Sequence, residues 1–207
     1  MNVVKKEGVK MEIGDIRANA FGMADTVNDI LGLIEKGFME NKDSYLSDAM
    51  TKEQTLNESE RSLTKSILDL SKNSGDRKEL SILAQAVETF ERMGDEASGL
   101  IERMEVKVAE KLMFDDTSVK QFMETYGVMK KSVEMMRDFL KYHDSAIKQR
   151  VIDNGFKAKE LVERYRKEHA DRLVQGLSTP LGANMYFDML DFTGNLARHS
   201  SNVTKLF

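Results

Sequence analysis

Three observations predict an all-α chain. Apolar residues recur at steps of three and four almost throughout, strand-like runs are few, and the 207 residues include one proline and no tryptophan. The predicted architecture is two repeated antiparallel three-helix bundles packed side by side, the first over residues 12–113 and the second over 114–207.

The elements follow in order. Ile13, Ile16, Ala20, Met23, Val27, Ile30, Ile34 and Phe38 define a first helix. Leu46, Met50, Leu56, Leu63, Ile67 and Leu70 define a second, with a break near Ser74-Gly75. Asp76, followed three residues later by Glu79, has the form of a capping box opening a third helix through Leu80, Leu83, Val87, Phe90 and on to Val108. Asp115-Asp116-Thr117 can cap a fourth, which runs through Val119, Phe122, Tyr126, Met129, Val133, Met136 and Leu140. A fifth spans Ser145 to Val174, and Pro180, after Ser178-Thr179, suits the first turn of a sixth. Helices of about 25–35 residues exceed the globular mean and suit an elongated bundle.

Composition narrows the function classes. Charged residues make up 32% of the chain against 41% hydrophobic, as in a folded globular protein rather than a disordered one. The absence of cysteine excludes disulfides, zinc fingers, thiolate catalysis and iron–sulfur clusters. A net charge of −4 with no basic stripe interleaved with aromatics argues against nucleic-acid binding. Lys5-Lys6 and Lys130-Lys131 are expected on solvated helix faces. No apolar run approaches about 18 residues, and Met1 to Lys10 has no core of signal-peptide length, so a cytoplasmic protein is expected. Fourteen methionines suit an irregular core, or an adaptable partner surface where exposed.

Chemistry enters with carboxylates. Glu91 and Asp95 stand four apart, hence on one face of a helix, where they repel each other unless a cation or basic group intervenes. Glu53 and Asn57 repeat that spacing on the second helix and could stand opposite the first pair. Oxygen donors of this kind suit hard or borderline cations; an acidic pair that merely faces solvent is the simpler reading of the spacing alone. The positions three before His143, His169 and His199 are Leu140, Arg166 and Leu196, so the Glu-x-x-His pairs of a ferritin-like di-iron enzyme are missing. Nucleotide loops and a Ser/His/Asp arrangement are missing as well.

The acidic pair lies within Phe90-Glu91-Arg92-Met93-Gly94-Asp95-Glu96-Ala97-Ser98-Gly99-Leu100, and Thr193-Gly194-Asn195-Leu196-Ala197-Arg198-His199-Ser200-Ser201-Asn202-Val203 is a damaged copy of it. Both resemble the Leu-Glu-Arg-Ile-Gly-Asp-His-Ala-x-Asn-Ile signature that ends each three-helix repeat of the PhoU family. His169-Ala170-Asp171-Arg172-Leu173 with Gly176, and Tyr186-Phe187-Asp188-Met189-Leu190, resemble runs in the PhoU-like cytoplasmic tails of sodium/phosphate cotransporters. The resemblance covers most of residues 12–207 through short motifs.

The resemblance implies a regulator of phosphate transport or signalling that binds rather than catalyses. Its implied partners are a membrane phosphate transporter component, a sensor histidine kinase or both, with attachment to the membrane through the partner, and a homodimer. It also implies metal on the acidic faces: a divalent or ferric ion (iron, zinc, nickel, magnesium or calcium) held by Glu91 and Asp95, to which the repeated spacing adds Glu53 and Asn57 as weaker candidates. In the second repeat Gly194 and Arg198 occupy the ligand positions, and a guanidinium repels a metal. That site is expected to be lost, unless shifted onto Asp188, Asp191 and His199, with Asp153 nearby on the fifth helix. A metal-dependent enzyme, a metal-storage bundle and a metal-free helical adaptor are the alternatives on residues alone.

Overall fold

A computed structural model describes residues 11–72 and 75–207; Met1 to Lys10, including Lys5-Lys6, and Ser74 of the expected break lie outside the described residues. Six helices follow in order: α1 (Ile13–Glu40), α2 (Asp43–Ser71), α3 (Arg77–Ala109), α4 (Asp116–Tyr142), α5 (Ser145–Val174) and α6 (Pro180–Leu206). Their lengths of 27–33 residues fall within the expected range.

Local chemistry sets most of the boundaries. The α1 to α2 and α4 to α5 reversals are short because Asn41 and His143 take left-handed backbone, at φ 51° and φ 54°. Asp115 accepts a hydrogen bond from the Ser118 amide at the start of α4, and Asp144 caps α5 through the amides of Ala146 and Ile147. Thr179 caps α6 through the Gly182 amide, with Pro180 in the first turn as expected. The capping box expected at Asp76 does not form. Asp76 occupies the cap position of α3 without a side-chain cap hydrogen bond, and Glu79, the other half of the box, pairs with Arg17 of α1.

Each repeat packs its three helices together, and the repeats meet through α3 against α6 and α1 against α4. The four central helices therefore share the core, while α2 and α5 flank it and contact only their own repeat. The sequence reflects that placement. α2 buries a narrow stripe through Leu46, Ala49, Leu56, Leu63 and Ile67, whereas α6 is buried on most of its circumference.

Across the repeat boundary the fully buried Tyr126 hydroxyl donates to the Leu31 carbonyl at 2.7 Å, and Phe38 packs on Phe122 with ring centres 4.9 Å apart. Lys130 was expected on a solvated face; it instead turns inward from α4 to pair with Glu35 of α1, while Lys131 pairs with Glu134 at the surface. Met23, Met93, Met104, Met129, Met136 and Met189 are all buried in the core, and Met39 and Met113 are exposed.

One end of the second repeat is tied by a polar knot. His169 is buried and stacked on Tyr186 with ring centres 4.2 Å apart. Its Nδ1 receives the Arg172 guanidinium at 3.0 Å and its Nε2 lies 3.3 Å from the Ser178 hydroxyl. Burial, then the nearby Arg172 charge, pushes the imidazole below its ordinary range, so the neutral ring accepts from Arg172 and donates to Ser178. The run resembling a family turn is thus a structural clasp that fixes the approach to α6, with Gly176 at φ 73° completing the bend.

Candidate functional site on the face of α2 and α3

The signature passage of the first repeat lies on α3 where it packs on α2. Gly94 permits that approach, since a Cβ there would stand 2.7 Å from the Leu56 side chain. Gly99 does the same toward the other repeat, its missing side chain being replaced by the Phe192 ring of α6. Both glycines serve close packing.

Four of the expected donors and one more lie along this contact, on adjoining faces of α2 and α3. Glu53 is buried on α2 beside Gly94, and its Oε1 accepts the Asn57 side-chain amide at 2.7 Å. The other Asn57 atom, Oδ1, is buried with no hydrogen-bond partner. Glu91 is half-buried and Asp95 exposed on the neighbouring face of α3. Burial raises the Glu91 carboxyl above its ordinary value, and the charges of Asp95, Glu60 and Glu88 raise it further against the opposing effect of Arg92. Glu60 is the donor that sequence reasoning missed. Its signal was present, since Glu53, Asn57 and Glu60 stand at i, i+4 and i+7 on one helix face. Arg92 pairs with Glu88 one turn back on its own helix at 2.6 Å, largely exposed.

This donor set suits a hard cation chemically. It offers carboxylates that repel one another and an amide oxygen left without a donor. Among the described residues, however, no three His, Asp or Glu side chains stand grouped closely enough to enclose an ion. The arrangement is an acidic face with paired oxygens.

The second repeat is built differently at the matching place. The buried residues of α3, among them Leu83, Val87, Phe90 and Met93, recur at constant separation as buried Tyr186, Leu190, Thr193 and Leu196 of α6. That register sets Glu91 against Gly194 and Asp95 against Arg198. Gly194 lets α5 approach, with a Cβ there only 3.1 Å from Val162. Arg198 is exposed and donates to the Asn195 side-chain carbonyl at 3.1 Å.

The residues of the shifted site are held apart by separate partners. Asp188 accepts from Arg103 of α3 at 2.7 Å, and Asp191 accepts from Arg166 of α5 at 2.5 Å. His199 is buried against Glu96 of α3 at 3.8 Å, and Asp153 accepts from Gln149 at the surface. Glu96 and His199 occupy equivalent places in the two signatures, so part of each signature serves the seam between the repeats.

Comparison with solved structures identifies the architecture. The structure of PhoU from Pseudomonas aeruginosa matches with a TM-score of 0.86 and 14% identity over 93% of each chain. The chain has the PhoU fold. The phosphate transport system regulatory protein PhoU from Streptococcus pneumoniae matches this fold with a TM-score of 0.77 and 12% identity, over 94% of this chain and 92% of that one. A PhoU-like protein from Shewanella oneidensis MR-1 matches with a TM-score of 0.61 and 12% identity, over 92% of this chain and 96% of its own. No protein-family model matches the chain, and no curated protein matches it significantly. Among the described residues, no helix of this PhoU fold is long and apolar enough to cross a membrane.

Proposed function

We propose that this protein regulates phosphate transport or phosphate signalling by docking on a membrane phosphate transporter component or a sensor histidine kinase, without turning over a substrate. The observation that carries the reading is the PhoU fold over nearly the full length of both chains, with the structure of a phosphate transport regulatory protein among its matches. The motif resemblance in α3 supports it independently of the fold comparison, because it rests on side chains rather than backbone. Long helix faces supply docking area, and the chain offers no nucleotide loop or Glu-x-x-His pair through which catalysis would run.

Within this reading the first repeat binds a divalent or ferric ion through Glu91 and Asp95, with Glu53, Asn57 and Glu60 as supporting donors. These residues would offset, with an ion, both the burial and the neighbouring carboxylates that raise the Glu91 carboxyl, and would thereby stiffen the α2/α3 face. Affinity capture of the full chain from phosphate-replete cells tests the docking. Recovery of a phosphate transporter component or a sensor histidine kinase is the expected result, and capture that enriches neither contradicts the reading.

A further inference from the structure

We infer that the groove between α5 and α6 is a second, independent ligand site, selective for a phosphate ester that carries an apolar body. The groove encloses about 450 Å³, within the range of small-molecule sites. Its floor is apolar, built from Ile152, Phe156 and Val162, and Phe156 remains 63% exposed. Its rim is basic, with Lys159, Arg166, Arg198 and Lys205 against Glu163 and Asp191.

The charges do not cancel. Arg166 is taken by Asp191 at 2.5 Å, and Lys159 has an exposed contact with Glu163 at 3.7 Å. Arg198 has only the neutral Asn195 side chain as a partner, and Lys205 forms no ion pair among the described residues. A guanidinium and an ammonium without a counter-charge beside an apolar trough match an organic anion, the phosphate on the cations and the body on Phe156 and Val162.

The repeat relationship strengthens the assignment. The register that sets Asp95 against Arg198 also sets Glu102 against Lys205. On the flanking helices, buried Ala49, Leu56, Leu63 and Ile67 recur as buried Val151, Ala158, Tyr165 and His169. That separation sets Glu53, Asn57 and Glu60 against Gly155, Lys159 and Val162. Glu53, Glu60, Glu91, Asp95 and Glu102 thus give way to Gly155, Val162, Gly194, Arg198 and Lys205, while Glu88 keeps its charge as Asp191, which is paired with Arg166. The same groove between flanking and central helix presents acid in one repeat and base with an apolar floor in the other.

Calorimetric titration of the full chain tests the site with three probes: AMP, inorganic phosphate, and vesicles of phosphatidylglycerol set against phosphatidylcholine. The two ester-bearing probes distinguish a soluble ligand from a lipid headgroup. Binding of AMP or of phosphatidylglycerol is expected to exceed that of inorganic phosphate. It is expected to weaken roughly tenfold to a hundredfold in the Arg198→Ala/Lys205→Ala variant, whose replaced side chains are exposed and leave the core untouched. Phe156→Ala is expected to weaken the ester-bearing probe and leave inorganic phosphate unchanged. Binding of neither ester, unchanged affinity in the double variant, or inorganic phosphate binding as tightly as the esters would each overturn the proposal.

Discussion

Protein carrying Glu91→Ala and Asp95→Ala is expected to copurify with far less metal than the wild type, a roughly tenfold or greater drop in metal per chain. Both residues lie at the edge of the α2/α3 contact, Glu91 half-buried and Asp95 exposed, so their removal leaves the buried stripe of α3 intact. Their loss also removes an unfavourable interaction. Like charges four apart on a helix cost about 0.2–0.5 kcal/mol, and Asp95 adds to the burial that raises the Glu91 carboxyl here. The metal-free variant is therefore expected to be at least as stable as metal-free wild type. That separates loss of a ligand from loss of fold. Elemental analysis of protein purified without chelator, alongside thermal unfolding, makes the measurement; unchanged metal content would remove these two residues from the site.

Tyr186→Ala is expected to produce the largest stability change of any single substitution considered, a loss of about 3–5 kcal/mol. Tyr186 is fully buried at the junction of α4, α5 and α6. It stacks on His169, lies against Phe114 with ring centres 5.9 Å apart, and reaches the Gln121 side chain at 3.4 Å. Truncation leaves a ring-sized cavity and uncovers one face of the imidazole that holds Arg172 and Ser178. For a chain of this size the loss corresponds to a fall in the unfolding midpoint of roughly 6–20 °C. Tyr186→Phe keeps the ring and gives up one long hydrogen bond, so its cost is expected to stay below about 1.5 kcal/mol. If the alanine and phenylalanine variants unfolded together, the ring would not be the packing centre that the geometry makes it.

What was legible in the sequence follows a physical division. Helix positions were readable because burial imposes a local period, and capping residues such as Asp115 and Thr179 act within three residues of themselves. The motif on α3 was readable for the same reason, since Glu91 and Asp95 share a face whatever packs beside it. Interactions between distant helices were not readable. Nothing local to Lys130 shows that Glu35 awaits it across the bundle, or that Arg103 claims Asp188 from 85 residues away. The Glu79 half of the capping box was lost for that reason too, because Arg17 from another helix pairs with Glu79. Glu60 was within reach of the spacing argument that found Glu53 and Asn57, and extending it by one turn would have included it. The basic groove needed both helices of the second repeat at once, since its charges come from α5 and α6 together.

Phosphate uptake in a deletion strain tests the central claim most directly. Cells lacking this chain, grown under phosphate starvation and under excess, are compared with wild type for initial uptake of labelled phosphate and for phosphate-responsive expression. Regulation by docking on a transporter or kinase predicts that uptake or expression no longer follows external phosphate, and that the wild-type gene restores the response. Uptake and expression indistinguishable from wild type under both conditions would contradict it.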